Sequence, residues 1–477
     1  MLINELYFIL PELIIASCIC LLILINSLAK SLRQYSGVLI GSAAMIACIF
    51  SSLMLFGENP IDIFNGHFKI DRLATGLKLI TFVTALIVML GTNTDKLNAE
   101  SEIILIELFA VLGVLILCSA NNLLTLYLGL ETLTLSMYGL VASKKSSEIA
   151  TESAMKFFIQ GAIASAIFLY GTSLIYGLYQ TLSLTIFSNP DINNSIELQL
   201  ALTFIICGIA FKFGAFPFHS WVPDSYHGSS NSVALFISTV PKIGAFALIY
   251  RLLITSFIAV TDFWTILILI LGLLSLILGN LIAISQSNLK RMLGYSAIGH
   301  MGFILIAISI GSLEGVQASL FYLLVYILMT SVAFMCLEVL SNRNRSIVTL
   351  SDIKDLNSSH PWIALIMLFS MFSMVGIPPL IGFYAKWIVL SELINAEMLS
   401  VSIIAIIMSV IAAFYYLRVV WYMYFEKTEL PVMKKGSTLI QKSTLSVIGA
   451  MILLIGLYPS PIIDFCKLII SPFILID

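Results

Sequence analysis

The chain has 477 residues, of which 60% are hydrophobic and only 10% are charged, and its formal net charge is −2. Soluble domains carry about 25% charged residues. This composition excludes a water-soluble globular protein, because no soluble core could hide so much apolar surface. It predicts an all-α polytopic membrane protein.

Apolar runs follow one another along almost the whole chain. The first run is too long, and the segment before it too acidic, for a cleavable signal peptide. At about 20 residues per crossing, we predict about fourteen membrane-spanning helices. They lie near residues 8–29, 35–56, 73–93, 103–119, 121–142, 155–179, 198–221, 229–252, 263–285, 292–311, 315–340, 361–394, 398–425 and 443–463. The segments between them are short, so no soluble catalytic domain is expected.

Basic residues in the predicted loops are distributed unequally between the two sides of the membrane. If the first loop is cytoplasmic, that side receives Lys30, Arg33, Lys96, Lys144, Lys145, Lys290, Arg291, Arg343, Arg345, Lys354, Lys427, Lys434, Lys435 and Lys442. The other side receives only Lys69, Arg72, Arg251 and Lys467. Because cytoplasmic loops carry an excess of Lys and Arg, both termini are predicted to lie on the outer side.

Polar residues within the predicted spans recur in the same order in two parts of the chain. The first set is Glu131, Lys212 and Lys242, and the second set is His300, Lys386 and Arg418. Corresponding members of the two sets are 169, 174 and 176 residues apart. A unit of five helices ends on the opposite side from where it begins, so the second unit is inverted, as in many transporters. The predicted division is 1–100 (three helices), 101–255 (first five-helix unit), 256–426 (second unit) and 427–477 (last loop and helix).

Both units contain a helix that proline and glycine interrupt at the corresponding place. Residues 211–217 read FKFGAFP and residues 376–386 read GIPPLIGFYAK. Pro217, Pro378 and Pro379 each remove a helical hydrogen bond and clash with the preceding turn. Broken helices at matching positions are typical of transport sites, although glycine and proline are also common in ordinary membrane helices. A lysine beside the break in each unit favours the transport interpretation.

Three lysines lie inside predicted spans. An ammonium at the bilayer centre costs at least roughly 2.5–3.5 kcal/mol and faces a protein interior or a water-filled path. Burial favours the neutral amine and a nearby carboxylate favours the ammonium, so a movable Glu131 would switch Lys212 between holding and releasing a proton. His300 titrates near neutral pH and can relay protons. We predict proton transfer through Glu131, Lys212, Lys242, His300 and Lys386.

Other polar residues share helix faces with this set and could hold ordered water. The stripes are Tyr127–Glu131–Thr134–Tyr138, Glu152–Lys156–Gln160 and Ser319–Tyr322–Tyr326–Thr330, with Ser238 and Ser296 four residues before Lys242 and His300. The candidates for accessory roles are Glu107, Glu152, Lys156 and Tyr326.

Structural alternatives exist for several of these residues. Glu131 and Lys212 would also fit a static buried ion pair. Lys156 and Arg418 lie near the predicted cytoplasmic ends of their spans and would also fit side chains that extend to the interface. We favour that interpretation for Arg418.

The sequence does not support a cofactor or metal in this chain. The seven cysteines are scattered through apolar segments without a CxxC pair, which argues against iron–sulfur, zinc and disulfide frameworks. His219 and His227 flank the first break and are expected to cap or orient it rather than to bind metal. GxGxxG, P-loop and HExxH motifs are absent.

Three segments carry a resemblance to a known family. Residues 216–224 read FPFHSWVPD, residues 288–303 read NLKRMLGYSAIGHMGF, and residues 127–131 read YLGLE. Together they resemble the signatures of the antiporter-like family, which includes the large membrane subunits of respiratory complex I and the Mrp cation/proton antiporters. The context VPKI around Lys242, the lysine at 386 and the end of the chain soon after the fourteenth span are similar to the N-type branch. Ser136 and the Gly228-Ser229-Ser230 segment depart from the usual pattern.

The resemblance implies a role for each candidate residue. Glu131 and Lys212 would form the switching pair, Lys242 and His300 the bridge, and Lys386 the terminal exchanger. It further implies that NADH, FMN, iron–sulfur clusters and quinone are bound by partner subunits. The implied partners are the antiporter-like M and L subunits and small K and J type subunits, with surrounding lipid.

The expected function is therefore that of a proton-translocating membrane subunit of a respiratory NADH:quinone oxidoreductase in a bacterial cytoplasmic membrane. The alternatives are an Mrp-type Na⁺(K⁺)/H⁺ antiporter subunit, the homologous subunit of a membrane-bound hydrogenase, and a structural linker that retains the charges without pumping. Sodium-dependent transport would favour the antiporter, and nickel-binding partners would favour the hydrogenase subunit. Unchanged pumping after Lys212→Ala would favour the structural linker.

Overall fold

The prediction of a polytopic helical membrane protein is confirmed. The computed structural model describes residues 2–28, 33–91, 100–144, 147–188, 195–341, 348–427 and 438–470. Within these ranges, thirteen helices are long and apolar enough to cross a membrane. A further, interrupted helix occupies 361–395, where the twelfth span is predicted.

The N-terminal part forms helices α1 (Leu2–Phe8), α2 (Leu10–Leu28), α3 (Arg33–Leu55) and α4 (Arg72–Gly91). The sequence predicts only a loop at 57–72, but an antiparallel hairpin forms there, with strands β1 (Ile61–Ile63) and β2 (Phe68–Ile70). The positive φ angles of Gly57 and Gly66 permit the turns around it. The end of the bundle that carries this hairpin is called the hairpin end below.

The predicted first five-helix unit contains α5 (Glu100–Ser119), α6 (Leu123–Val141), α7 (Glu148–Tyr179), α8 (Ile196–Phe213), α9 (Trp221–Gly228) and α10 (Asn231–Ile249), and a π-helical turn (Tyr250–Ile254) extends α10. The rest of the chain forms α11 (Thr261–Ile284), α12 (Leu289–Ile308), α13 (Leu313–Leu340), α14 (Leu356–Ser359), α15 (Pro361–Val375), α16 (Ile381–Asn395), α17 (Leu399–Tyr424), α18 (Leu439–Leu457) and α19 (Ser460–Ile470).

Polar side chains begin several of these apolar helices. The side chains that accept a hydrogen bond from the first turn belong to Asn122, Ser147, Ser195, Ser230, Asn288, Ser312 and Thr438. The first four N–H groups of a helix have no partner within it, and an unsatisfied group is costly in lipid. These caps therefore help to set where the helices begin.

Both predicted helix breaks are confirmed. The first half helix α8 ends at Gly214 (φ 68°) before α9, and α15 ends at Gly376 (φ 94°) before α16. In each case glycine adopts the left-handed conformation that closes a helix C-terminus. The peptide bonds before Pro217 and Pro379 are both cis.

Lys212 and Lys386 occupy different positions relative to the two helix breaks. The cis prolines of the two breaks, Pro217 and Pro379, are 162 residues apart, whereas the lysines are 174 apart. Lys212 consequently precedes its break, in the last turn of α8, and Lys386 follows its break, on α16. The order of residues along the chain is preserved between the units, but not the position of the lysine relative to the break.

Helices α10, α12 and α13 occupy the centre of the bundle and are buried along nearly their whole length. Peripheral helices such as α7, α17 and α18 expose apolar side chains over most of theirs, as helices in contact with lipid do. Of the basic residues used for the orientation, Lys30, Lys96, Lys145, Arg343, Arg345, Lys434 and Lys435, together with the side chain of Arg33, lie outside the described part.

Candidate functional site

Lys212 and Glu131 lie near each other without direct contact. The Lys212 ammonium donates a hydrogen bond of 2.6 Å to the Thr134 hydroxyl, one turn along α6 from Glu131. The Glu131 carboxylate instead accepts a hydrogen bond from Ser165 of α7. Glu131 remains within electrostatic reach of Lys212. The static ion pair, the structural alternative for Glu131 and Lys212, is therefore not formed in this structure.

Lys242 lies in the core of the bundle, with only 1% of its surface exposed. Its ammonium donates to the carbonyl oxygen of Phe213 at 2.9 Å and lies 5.2 Å from the centre of the Trp221 ring. Phe213 is the last residue of the first half helix α8, so the ammonium meets the negative end of that helix dipole. Ser238, predicted as its partner, donates instead to the carbonyl of Leu235 on its own helix.

Lys386 makes the equivalent contact at the other break. Its ammonium donates to the carbonyl oxygen of Val375, the last residue of α15, at 2.8 Å, and lies 5.7 Å from the Phe303 ring. A Cβ atom at Gly376 would lie 3.1 Å from Lys386 Cδ, so the glycine also leaves room for the lysine. Both broken helices thus present their C-terminal carbonyl to a buried ammonium, which stabilises the charge without a carboxylate.

His300 lies between two tyrosines in the core. Its Nδ1 is 2.9 Å from the Tyr322 hydroxyl and its Nε2 is 3.0 Å from the Tyr416 hydroxyl. Tyr416 also hydrogen-bonds Ser296, so the predicted partner Ser296 reaches His300 through one tyrosine. The Tyr326 ring centre is 5.5 Å from that of His300. Every ring nitrogen has a partner, which suits a residue that takes up and passes on protons.

Two small cavities accompany these groups. One is bounded by His300, Lys386 and Tyr416, and the other by Lys212 and Pro241. Each has room for about one water molecule. The structure thus has room for a water beside His300 and Lys386, and for another beside Lys212 and Pro241 of α10.

The amino-acid sequence is similar to known proteins over most of its length. Residues 120–412 match the family described as NADH:quinone oxidoreductase/Mrp antiporter, TM. The chain belongs to the NADH:quinone oxidoreductase/Mrp antiporter family. Two relatives are named NADH-quinone oxidoreductase subunit N. That of Thioalkalivibrio sulfidiphilus is 40% identical over 94% of this chain and 95% of its own, and that of Hydrogenovibrio crunogenus is 37% identical over 96% and 97%.

Solved structures agree with this assignment to the antiporter family. A chain of respiratory complex I from Thermus thermophilus with bound aureothin has a TM-score of 0.82 and 29% identity, covering 95% of this chain and 98% of that one. A chain of the Mrp complex from Dietzia has a TM-score of 0.85 at 17% identity, covering 98% and 97%. The latter likeness concerns the fold alone.

Of the residues predicted to have accessory roles in this antiporter-family chain, some lie at the surface and others in the core. Lys156 is about half exposed and bridges Glu152 at 2.7 Å and Asp224 at 3.3 Å. Asp224 also pairs with Arg291, so these residues form a charged network that joins α7, α9 and α12. Glu107 is completely buried on α5.

The structure also shows the surroundings of Arg418 and of His219, for which the sequence predicts structural roles. Arg418 is partly exposed near the C-terminal end of α11. It donates to the carbonyls of Ile284 and Gln286 at 2.9 and 2.7 Å and so satisfies the C-terminus of α11. His219 approaches the carbonyl of Pro217 at 3.3 Å, which fits the predicted orienting role. Within the described ranges, no group of three potential metal-ligating side chains occurs, and His227 belongs to none.

Sequence reasoning missed several buried charges. Lys78 pairs with Glu12 at 2.5 Å, and Arg251 binds Asp71 through two hydrogen bonds of 2.7 and 2.8 Å. Lys78 was recognisable, because it lies within an apolar run predicted to span the membrane, as Lys242 does. Arg251 was assigned to an outer loop, whereas it ends the buried helix α10.

The hydrogen bonds of His300 lead to a testable prediction. We expect the double substitution Tyr322→Phe/Tyr416→Phe to slow NADH-driven proton pumping about tenfold, since a lost buried hydrogen bond costs about 1–3 kcal/mol and 1.4 kcal/mol is a factor of ten in rate. Pumping would be measured in membrane vesicles by fluorescence quenching of a pH-sensitive dye. The exposed Tyr458→Phe is the matched control. Unchanged pumping in the double variant would contradict a relay through His300.

Proposed function

We propose that this chain is a proton-translocating membrane subunit of an NADH:quinone oxidoreductase. The relatives that carry the name subunit N match it over nearly their whole length, which supports this assignment. The observation that carries the proposal is the pair of buried ammonium groups of Lys242 and Lys386, each held by the C-terminal carbonyl of a broken helix. Such a site tolerates both the charged and the neutral lysine.

The proposed transfer begins at Glu131 and Lys212. When the Glu131 carboxylate moves from Ser165 towards Lys212, it stabilises the ammonium, and Lys212 takes up a proton. When Glu131 returns to Ser165, the ammonium loses its counter-charge and its proton passes by way of water to a neutral Lys242. Lys242 then delivers the proton to His300, and His300 to Lys386. The proton that Lys212 takes up comes from water, and each later transfer moves one proton between two named groups and returns the donor to its neutral form.

Redox chemistry belongs, in this proposal, to partner subunits. NADH, FMN, iron–sulfur clusters and quinone would be bound there. The described cysteines of this chain are free and mostly buried. The partners would be antiporter-like M and L subunits and small K and J type subunits. The chain would lie in a bacterial cytoplasmic membrane with both termini outside and with the division at 100, 255 and 426 given above.

The Mrp-type antiporter alternative has weaker support. Its structural likeness comes with 17% sequence identity, against 37–40% for the relatives named subunit N. Sodium-dependent transport by membranes that contain this chain would favour the antiporter. Pumping that depends on NADH and not on sodium would favour the proposal.

The decisive experiment uses membranes whose only copy of this subunit carries Lys212→Ala or Glu131→Ala. We expect NADH-driven pumping and quinone reductase activity to fall together while the complex stays assembled, because both groups would lie on an obligatory coupled path. Assembly would be followed on native gels. Full activity with full pumping would reject the lysine switch and leave a scaffold role for this chain.

A further inference from the structure

A second set of buried charges lies near the hairpin end of the bundle, outside the proposed chain of proton carriers. Lys78 of α4, with 1% of its side chain exposed, pairs with Glu12 of α2 at 2.5 Å. The Glu12 side chain is 10% exposed through its carbon atoms, whereas both carboxylate oxygens are buried, so the pair lies just inside the edge of the protein. A buried pair costs several kcal/mol of desolvation per ion, which makes a purely structural use expensive.

A second pair lies closer to the hairpin. Arg251 holds Asp71 with two hydrogen bonds, of 2.7 and 2.8 Å, and donates two more to the carbonyl of Cys118, at 3.0 and 2.8 Å. Burial acts to raise the pKa of Asp71, but the Arg251 charge and its hydrogen bonds outweigh burial and hold that pKa below its ordinary value. Asp71 therefore stays ionised, and Arg251 stays occupied by it.

The two pairs form one cluster. Asp71, Thr75 and Lys78 follow one another at i, i+4 and i+7, so they share a face at the start of α4. Cys118 lies within electrostatic reach of all four charged side chains. Ser119 is buried beside it, and within the described part of the chain its hydroxyl has no hydrogen-bond partner. Buried hydroxyls normally have a partner or a water, so this position fits a hydrated cluster.

The cluster lies beside the helix that carries Lys242. Helices α4 and α10 pack directly against each other and run in opposite directions. A helix rises 1.5 Å per residue. Lys242 precedes Arg251 by nine residues, or about 14 Å along α10. Lys78 follows Asp71 by seven residues, or about 10 Å along α4. Because Arg251 and Asp71 are in contact, the depths of Lys78 and Lys242 differ by about two residues, roughly half a helical turn.

We propose that Glu12 and Lys78 form a proton outlet that branches from Lys242 towards the hairpin side of the membrane; this inference rests on the proposed function. In the resting pair, Lys78 is an ammonium and Glu12 a carboxylate. Glu12 first takes the proton of Lys78, which leaves a neutral amine and a carboxylic acid. The amine then receives a proton from the Lys242 ammonium by way of water. The Glu12 carboxyl group, which is buried at rest, finally moves to the nearby protein edge and releases its proton there, which restores the pair and leaves Lys242 neutral.

Lys78→Arg is the sharpest test. A guanidinium keeps the positive charge and the pair with Glu12 but cannot be deprotonated in a protein. We expect NADH-driven pumping several-fold slower than in wild type, with normal assembly. Lys354→Arg, at a partly exposed pair with Glu426, is the matched control and should pump normally. Wild-type pumping by Lys78→Arg would overturn the outlet.

The double substitution Glu12→Gln/Lys78→Met covers the case in which the arginine does not fit. Replacing both members of a buried pair with neutral residues is often neutral for stability, so a structural pair would leave pumping unchanged and overturn the proposal. An outlet would again give several-fold slower pumping. Failure of both variants to assemble would assign the pair a structural role and reject the outlet. Lys212→Ala is measured in the same experiment. Normal pumping by Lys212→Ala would reject the proposed function itself. Slow pumping by Lys212→Ala together with normal pumping by the Glu12 and Lys78 variants would reject only the outlet.

Discussion

Membranes that carry Lys242→Met as their only copy of this subunit are expected to lose NADH-driven proton pumping by about 100-fold or more, the scale of a positioned proton-transfer group. Lys242 is buried against the C-terminal end of the first half helix α8, and methionine fills a similar volume without a titratable nitrogen. The C-terminal carbonyl of Phe213 would lose its donor. Pumping would be followed with a pH-sensitive dye and electron transfer by NADH oxidation in the same vesicles.

Lys242→Arg separates charge from proton exchange at the same position. Arginine can still donate to the carbonyl of Phe213, but it does not release a proton, so pumping should remain low. Lys354→Met, at a partly exposed surface pair, should keep wild-type pumping. Normal pumping by Lys242→Arg would show that the residue supplies a fixed charge and does not carry protons.

Arg251→Met is expected to give the largest loss of stability, roughly 3–5 kcal/mol, as removal of one partner from a buried ion pair does. Arg251 is 3% exposed and supplies four hydrogen bonds that connect the end of α10 with Asp71 and with the end of α5. We expect less assembled complex on native gels and a lower unfolding temperature in detergent. The double variant Asp71→Asn/Arg251→Met should recover part of the loss, because it leaves no unpaired buried charge.

The same pair predicts a dependence of stability on pH. The pKa of Asp71 is lowered in the folded protein, so its stabilising contribution is complete above the ordinary carboxyl pKa. The contribution disappears only as the pH falls through the lowered pKa of the folded state. Thermal unfolding of Asp71→Asn should therefore differ most from wild type at neutral pH, and the difference should shrink on acidification. An equal difference at all pH values would contradict this assignment.

Several elements of the fold were predictable from local sequence. The apolar runs predict the helices because lipid leaves no other way to satisfy the backbone. The glycine and proline residues around 214–217 and 376–379 predict the breaks, since their effects act within one helical turn. His300 could be recognised as a core residue because its neighbours within one turn are apolar or small.

Contacts between distant helices could not be predicted in this way. The sequence indicates that Lys242 and Lys386 are buried, but it does not indicate that each would meet the last carbonyl of a half helix. In the case of Lys242, 29 residues separate the two partners. The offset of 174 residues gives Lys212 and Lys386 the same place in the order of polar residues, but Lys212 precedes its break and Lys386 follows its own. Arg418 was predicted to extend to the interface from its place near the end of a span, and its contacts with the carbonyls of Ile284 and Gln286 could not be predicted because those residues are 134 and 132 positions away.

The sequence by itself determined the class of protein, the number and approximate position of the membrane helices, both breaks and the main set of ionisable residues, because composition, hydropathy and proline chemistry are local properties. Only the tertiary structure decided which groups touch. In the folded chain Glu131 does not contact Lys212, and the ammonium groups of Lys242 and Lys386 each donate to the last carbonyl of a half helix. Glu12 pairs with Lys78, and Asp71 pairs with Arg251. Those contacts depend on how helices pack and rotate against one another, which no single segment specifies.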